Sequence, residues 1–165
     1  MSARRDDAVF EGAAVPRGAE SMRVMVATDG SRAGAAALRF GARLARLDAS
    51  VSLVVVTVRP EDAAAPAEGA KPAPNRTAEQ ILTAASRALE RERVAGAVRA
   101  LERRESESVP DAIARHAERL RADLVVVGSE GRDTLGEWVV GGVALRLIYV
   151  ANRPVLVVRA PRKRS

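Results

Sequence analysis

The chain has 165 residues, 47% of them hydrophobic but only 2% aromatic, with a formal net charge of +6, no cysteine and one histidine. That length and composition fit one domain with a real core of small aliphatic side chains, and exclude disulfides, thiolate metal sites and a histidine-rich metal centre. No apolar run reaches the length of a membrane span, no secretory leader follows Arg4 and Arg5, and arginines without interleaved aromatics argue against specific nucleic-acid binding; a cytoplasmic setting is expected.

In chain order, residues 1–21 mix charge with Gly, Ala and Pro and are expected to be a flexible extension. Met22 to Thr28 is a buried strand candidate stopped by Asp29-Gly30-Ser31, a turn and helix-cap signal. A first helix follows, with Ala33, Ala36, Ala37, Phe40, Leu44 and Leu47 at helical spacing and expected inside. Val51 to Val58 is nearly all apolar and β-branched, which suits a parallel strand covered on both faces. Residues 59–76 hold four prolines and a glycine and read as a mobile loop.

A second helix is expected from about Thr77, with Ile81, Leu82, Ala85 and Leu89 on its buried side. Ala97 to Arg103 reads as a weaker, partly exposed strand. Pro110 and Asp111 mark the start of a third helix, buried through Ile113, Ala117 and Leu120. Leu124 to Val127 is a fourth strand, Gly142 to Val150 a fourth helix, and Val155 to Val158 a fifth strand; 161–165 form a basic tail. Strict alternation of strands and helices over 22–160 implies an α/β domain, with one open five-stranded parallel sheet and helices on both faces. Ligands of such sheets bind beyond the carboxyl ends of strands, where strand order reverses. Asp29 after the first strand and Gly128 after the fourth are expected to face one crevice.

The most specific stretch is Asp123-Leu-Val-Val-Val-Gly128-Ser-Glu-Gly131, followed nine residues later by Gly141-Gly142 and closed by Arg153-Pro-Val-Leu-Val-Val-Arg159. Glycines that leave a strand and open a helix let backbone N–H groups close around an anion. The string resembles the universal stress protein family, whose nucleotide-binding members carry Gly-x-x-Gly, nine residues, then Gly-Ser or Gly-Thr. The resemblance implies a Rossmann-like fold of the adenine nucleotide hydrolase type and a regulatory protein that binds ATP, with Mg2+, or another adenine nucleotide.

Residue by residue, the resemblance places Asp29 near the ribose and the metal-bound phosphates, Ala27 in the same pocket, and Thr57 (or Val56, one register away) near the adenine. Gly128, Gly131, Gly141 and Gly142 fall on the phosphate loop. It also implies a homodimer through Val155 to Val158, an apolar strand that would otherwise be an open edge. The chain departs from the family pattern at Gly142, where a hydroxyl is expected, and at Glu130, where a basic residue or histidine is common. Glu137 adds a second carboxylate, Arg132 offsets one of them, and Trp138 is expected to pack against the sheet or cover the loop.

Little points to catalysis. His116 has no partner at catalytic spacing, and Ser129 lacks a nucleophile-elbow context, so it is expected to bond the loop or a phosphate. No Gly-Lys-Ser/Thr phosphate loop and no Ser-Gly-Gly run after the first strand are present. Catalysis is therefore expected to be absent or slow. The alternative expectation is a dimeric interaction module of the same fold that binds no nucleotide.

Overall fold

A computed structural model describes residues 21–59, 77–129 and 141–160. The elements alternate: β1 (Arg23–Ala27), α1 (Arg32–Leu47), β2 (Ser52–Val58), α2 (Ala78–Glu92), β3 (Gly96–Leu101), α3 (Val109–Arg119), β4 (Leu124–Ser129), α4 (Gly142–Val150) and β5 (Val155–Arg159). The five strands form one sheet in the order β3-β2-β1-β4-β5, every pair parallel. The order reverses between β1 and β4, where the crossovers from β1 and from β4 run to opposite edges.

Alternation along the strands feeds two cores. Val24, Val26, Leu53, Val55 and Val126 face Ala37, Leu38 and Ala42 of α1 and Leu82, Ala85 and Leu89 of α2. Met25, Val54, Val56, Val125 and Val127 face Ile113 and Ala117 of α3 and Ala144 and Leu147 of α4. Central strands buried on both faces explain the unbroken Val-Val-Val runs in β2 and β4.

Helix starts follow their caps. Ser31 Oγ accepts from the Gly34 N–H at 3.0 Å, opening α1. Thr77 and Gln80 form a reciprocal capping box on α2. Ser108 caps α3 by accepting from the Asp111 N–H, with Pro110 in the first turn. Arg93, in the left-handed region at φ 54°, closes α2.

The structure corrects several expectations. The buried stripe of α1 is Ala33, Gly34, Ala36, Ala37, Leu38, Gly41 and Ala42, whereas Phe40 and Leu47 are exposed. The helix lies close to the sheet at its middle: a Cβ on Gly41 would stand 2.5 Å from Val26 Cγ2. Alanine and glycine therefore make up most of the inward face, with Leu38 its one large buried side chain, and Phe40 and Leu47 turn outward. Strand β3 ends at Leu101, so Arg103 lies beyond it. Leu120 is the half-buried C-cap of α3 and packs against the core that holds Ile113 and Ala117.

Gly128 does not follow β4; it is the fifth residue of that strand, paired with Val158. A Cβ there would meet Ala33 C at 2.2 Å, Ala33 O at 2.4 Å and the Gly34 N at 2.7 Å. Its lack of a side chain lets the first turn of α1 rest on the strand backbone. The extension at 1–20, the loop at 60–76 and the tail at 161–165 lie outside the described residues.

Candidate functional site at the strand-order reversal

A cavity of about 410 Å³ opens at the carboxyl edge of the sheet, over the ends of β1, β2 and β4. Of the sequence-predicted residues, Ala27, Asp29, Thr57, Gly128, Gly141 and Gly142 all line it. Gly131, Glu130, Arg132, Glu137 and Trp138 lie outside the described residues. Both candidates on β2 reach the cavity, Thr57 and Val56, each almost fully buried.

The β1–α1 turn builds one wall. Gly30 adopts φ 76°, the one glycine among the described residues in the left-handed region, and its N–H donates to Thr28 Oγ1 at 3.2 Å. The Ser31 N–H donates to Asp29 Oδ1 at 2.9 Å. This bond leaves the exposed Asp29 carboxylate with a second oxygen and spare acceptor capacity. Gly34 makes room for both side chains: a Cβ on it would stand 2.5 Å from Thr28 Oγ1 and 2.8 Å from Asp29 Oδ1. Sequence reasoning missed Gly34 and Thr28, although a glycine inside a helical pattern is itself a signal of close approach.

Helix α4 builds the facing wall. Gly141 is its N-cap and makes no side-chain capping bond. The first intrahelical bond runs from the Leu145 N–H to the Gly141 carbonyl, so the N–H groups before it have no helical acceptor. A Cβ on Gly142 would meet nothing within 4 Å. Amides without a helical acceptor, the positive end of the helix dipole and open space at Gly142 meet at this end of the cavity. Val56, Val58, Ile81, Val109, Ile113 and Val127 make the remaining surface largely apolar.

Two arginines that sequence reasoning did not single out line the far side, Arg59 after β2 and Arg103 after β3. Arg59 pairs with Glu79 at 2.7 Å and with Glu102 at 2.6 Å. Arg103 donates to the Glu107 carbonyl at 3.2 Å. The segment carrying Arg103 is stapled to α3 by Arg115, which grips both Glu107 carboxylate oxygens at 2.7 Å and donates to the Glu102 carbonyl at 3.0 Å. The Arg115 hydrogen bonds pull the Glu107 carboxyl down to about 2, helped by the Arg104 N–H and by both arginine charges against the opposing cost of burial. The same contact raises Arg115 above the ordinary guanidinium value.

Ser129 and His116 do not line the cavity. The Ser129 hydroxyl is buried with no hydrogen-bond partner among the described residues. His116 Nε2 lies 3.3 Å from Arg115 Nη1, beside the staple. Among the described residues no group of three His, Cys, Asp or Glu side chains is placed to hold a metal ion. Asp29 alone would share a hard cation with a bound phosphate, the usual way Mg2+ is held.

The Universal stress protein family matches residues 20–159. The chain belongs to that family. A curated relative, the universal stress protein MJ0531 of Methanocaldococcus jannaschii, is 45% identical over 58 residues. That match spans 34% of this chain and 34% of the relative, about a third of its length. A universal stress protein structure from Archaeoglobus fulgidus is 30% identical, with a TM-score of 0.66 over 83% of this chain and 98% of that one. A universal stress protein solved in complex with cAMP shares the fold at 24% identity and a TM-score of 0.60, over 86% of this chain and 98% of that one. No helix among the described residues is long and apolar enough to cross a membrane.

Proposed function

We propose that this universal stress family member is a regulatory protein that binds ATP or another adenine nucleotide in the crevice between β1 and α4, with little or no catalysis. The observation that carries the reading is the convergence of Ala27, Asp29, Thr57, Gly128, Gly141 and Gly142, at β1, β2, β4 and the start of α4, on one cavity. The apolar walls suit a purine, and the uncapped start of α4 suits a phosphate. Asp29 is assigned to the ribose or to Mg2+ carried by the phosphates, and Thr57 or Val56 to the base. The relative solved with cAMP supports an adenine nucleotide as the ligand class.

The residues present offer binding without a reaction centre. The lone histidine is outside the cavity, and among the described residues no metal cluster is found and Asp29 is the single carboxylate on the cavity walls. The protein would act by presenting a different surface when occupied. Calorimetric titration of nucleotide-stripped protein with Mg-ATP tests the reading. Saturable binding weakened at least tenfold by Asp29→Ala is the expected outcome, and unchanged affinity in that variant would remove Asp29 from the site.

Self-association belongs to the same reading. Strand β5 is an outer strand of the sheet, and its residues Val155 to Val158 are half-buried. Beside it α4 exposes Val143, Leu145, Ile148 and Tyr149, the last at 80%. An apolar edge strand flanked by an apolar helix face is the surface a second copy would cover. The same surface supports the second reading, an interaction module that works by pairing and binds no nucleotide.

A further inference from the structure

We propose that the groove between α1 and α2 is a docking site for an acidic amphipathic helix of another protein. The two helices pack on one face of the sheet, opposite α3 and α4. Between them lies a second cavity of about 360 Å³. It starts at Thr28 and Gly30 in the β1–α1 turn and runs to Arg91 and Glu92 near the end of α2. Leu38 and Ala42 of α1 and Ala84, Ala85 and Ala88 of α2 line it, so side chains that are mostly alanine leave a trough where larger ones would have filled it. At 1.5 Å per residue the trough follows α1 for about 10 Å, from Ala35 to Ala42, and α2 for about 16 Å, from Ile81 to Glu92. Two to three helical turns is the length over which an amphipathic helix seats its apolar positions in a groove.

Charge decides the kind of helix. α1 carries Arg32, Arg39, Arg43 and Arg46 and no acidic residue. Their spacing sets the four within about 60° of one another around the helix, along one side. Arg39 on α1 and Arg91 on α2 stand on opposite walls of the groove. Both are exposed, and among the described residues neither has a hydrogen-bond or ion-pair partner. Glu92, the one acidic side chain among the described lining residues, is neutralised by Arg46 at 2.6 Å. An apolar floor between two exposed guanidinium groups is complementary to a helix with aliphatic side chains on one face and carboxylates beside them.

The same features disfavour other anionic surfaces. The groove offers no aromatic ring on which a base could stack, and a phosphate backbone gains nothing from an alanine floor. A lipid surface needs apolar side chains that project, whereas these are recessed between two helices.

The test is fluorescence anisotropy on full-length protein with a labelled peptide of about 15 residues, built from Glu, Ala and Leu with the apolar residues on one helical face. A scrambled peptide of the same composition keeps the charge and loses the apolar face. The proteins are the wild type, the double variant Arg39→Glu with Arg91→Glu, and Arg119→Glu, an exposed change on α3 across the sheet. Saturable binding to the wild type at micromolar Kd is expected, weakened about tenfold or more by the double variant and by scrambling, and unchanged by Arg119→Glu. Absence of saturable binding would overturn the proposal, as would equal affinity for the scrambled peptide, which marks charge attraction without a groove. Unchanged affinity in the double variant would place the peptide elsewhere. Tighter binding of a single-stranded oligonucleotide, lost in the same double variant, would give the arginines to nucleic acid instead. Self-association of the wild type that this variant abolishes would give the groove to a second copy.

Discussion

Replacing Gly128 by alanine should destabilise the protein through packing alone. The added methyl would stand 2.2 Å from Ala33 C and 2.4 Å from Ala33 O. Ordinary contact begins at about 3.4 Å, so the start of α1 and β4 must separate by roughly 1 Å. Both sides of the clash are backbone, so no rotamer change relieves it. Overpacking of this kind costs about 1–3 kcal/mol, and the rigid partner argues for the upper end. For a chain of this size about 3 kcal/mol lowers the melting temperature by roughly 6–12 °C. The control is Gly142→Ala, whose methyl meets nothing and sits in the first turn of a helix; it should be neutral or stabilising by up to about 1 kcal/mol. Circular-dichroism melts and urea midpoints compare the two. If the Gly128→Ala protein melts within about 2 °C of the wild type, the close approach of α1 to β4 is not a constraint and the packing argument fails.

Two further outcomes follow from the charge network and the sheet edge. The Glu107 carboxyl, at about 2 in the fold against an ordinary 4.5, contributes stability that is fully present above pH 4.5 and is lost as pH falls from there toward 2. A charged hydrogen-bonded pair this well buried is worth about 2 kcal/mol, so urea midpoints should drop across that window in the wild type and more weakly in Glu107→Gln; parallel acid limbs would contradict the assignment. Sedimentation of the wild type at micromolar concentration should show a dimer, and Ile148→Glu, on the exposed face of α4, should dissociate it without lowering the melting temperature of the subunit. A wild type that sediments as a monomer would argue against pairing through β5.

The sheet was legible because buried parallel strands leave an unmistakable trace: Val54 to Val56 and Val125 to Val127 are apolar on both faces, and helices with clear caps separate them. The crevice was legible because the reversal of strand order puts the residues after β1 and β4 side by side. What sequence could not supply was distance. Helical spacing alone predicts an inward stripe on α1 that holds Ala33, Ala36 and Ala37 correctly but extends to Phe40 and Leu47, which are exposed. At a 2.5 Å hypothetical contact between Gly41 and Val26, no side chain fits at position 41, and small residues with Leu38 fill the face beneath the helix. Gly128 was placed in a loop for the same reason, since a glycine spared from a backbone clash and one that turns a chain look alike in a sequence. Arg59 and Arg103 were invisible as cavity residues because their positions depend on how far β2 and β3 extend.

The pairing of β1 with β4 has a consequence for the order in which the protein comes into being. The Arg23 N–H and the Asp123 carboxylate that begin this pairing are 100 residues apart. While the chain leaves the ribosome, β1, α1 and β2 can meet early, but α4, which walls the crevice, starts at Gly142 and emerges only after β1 to β4. A nascent or truncated chain without that helix has four of the five strands and lacks one wall of the crevice. A ligand that recognises both walls stabilises the finished fold by mass action and leaves its precursors untouched. In the cell, occupancy would count completed molecules rather than chains in progress.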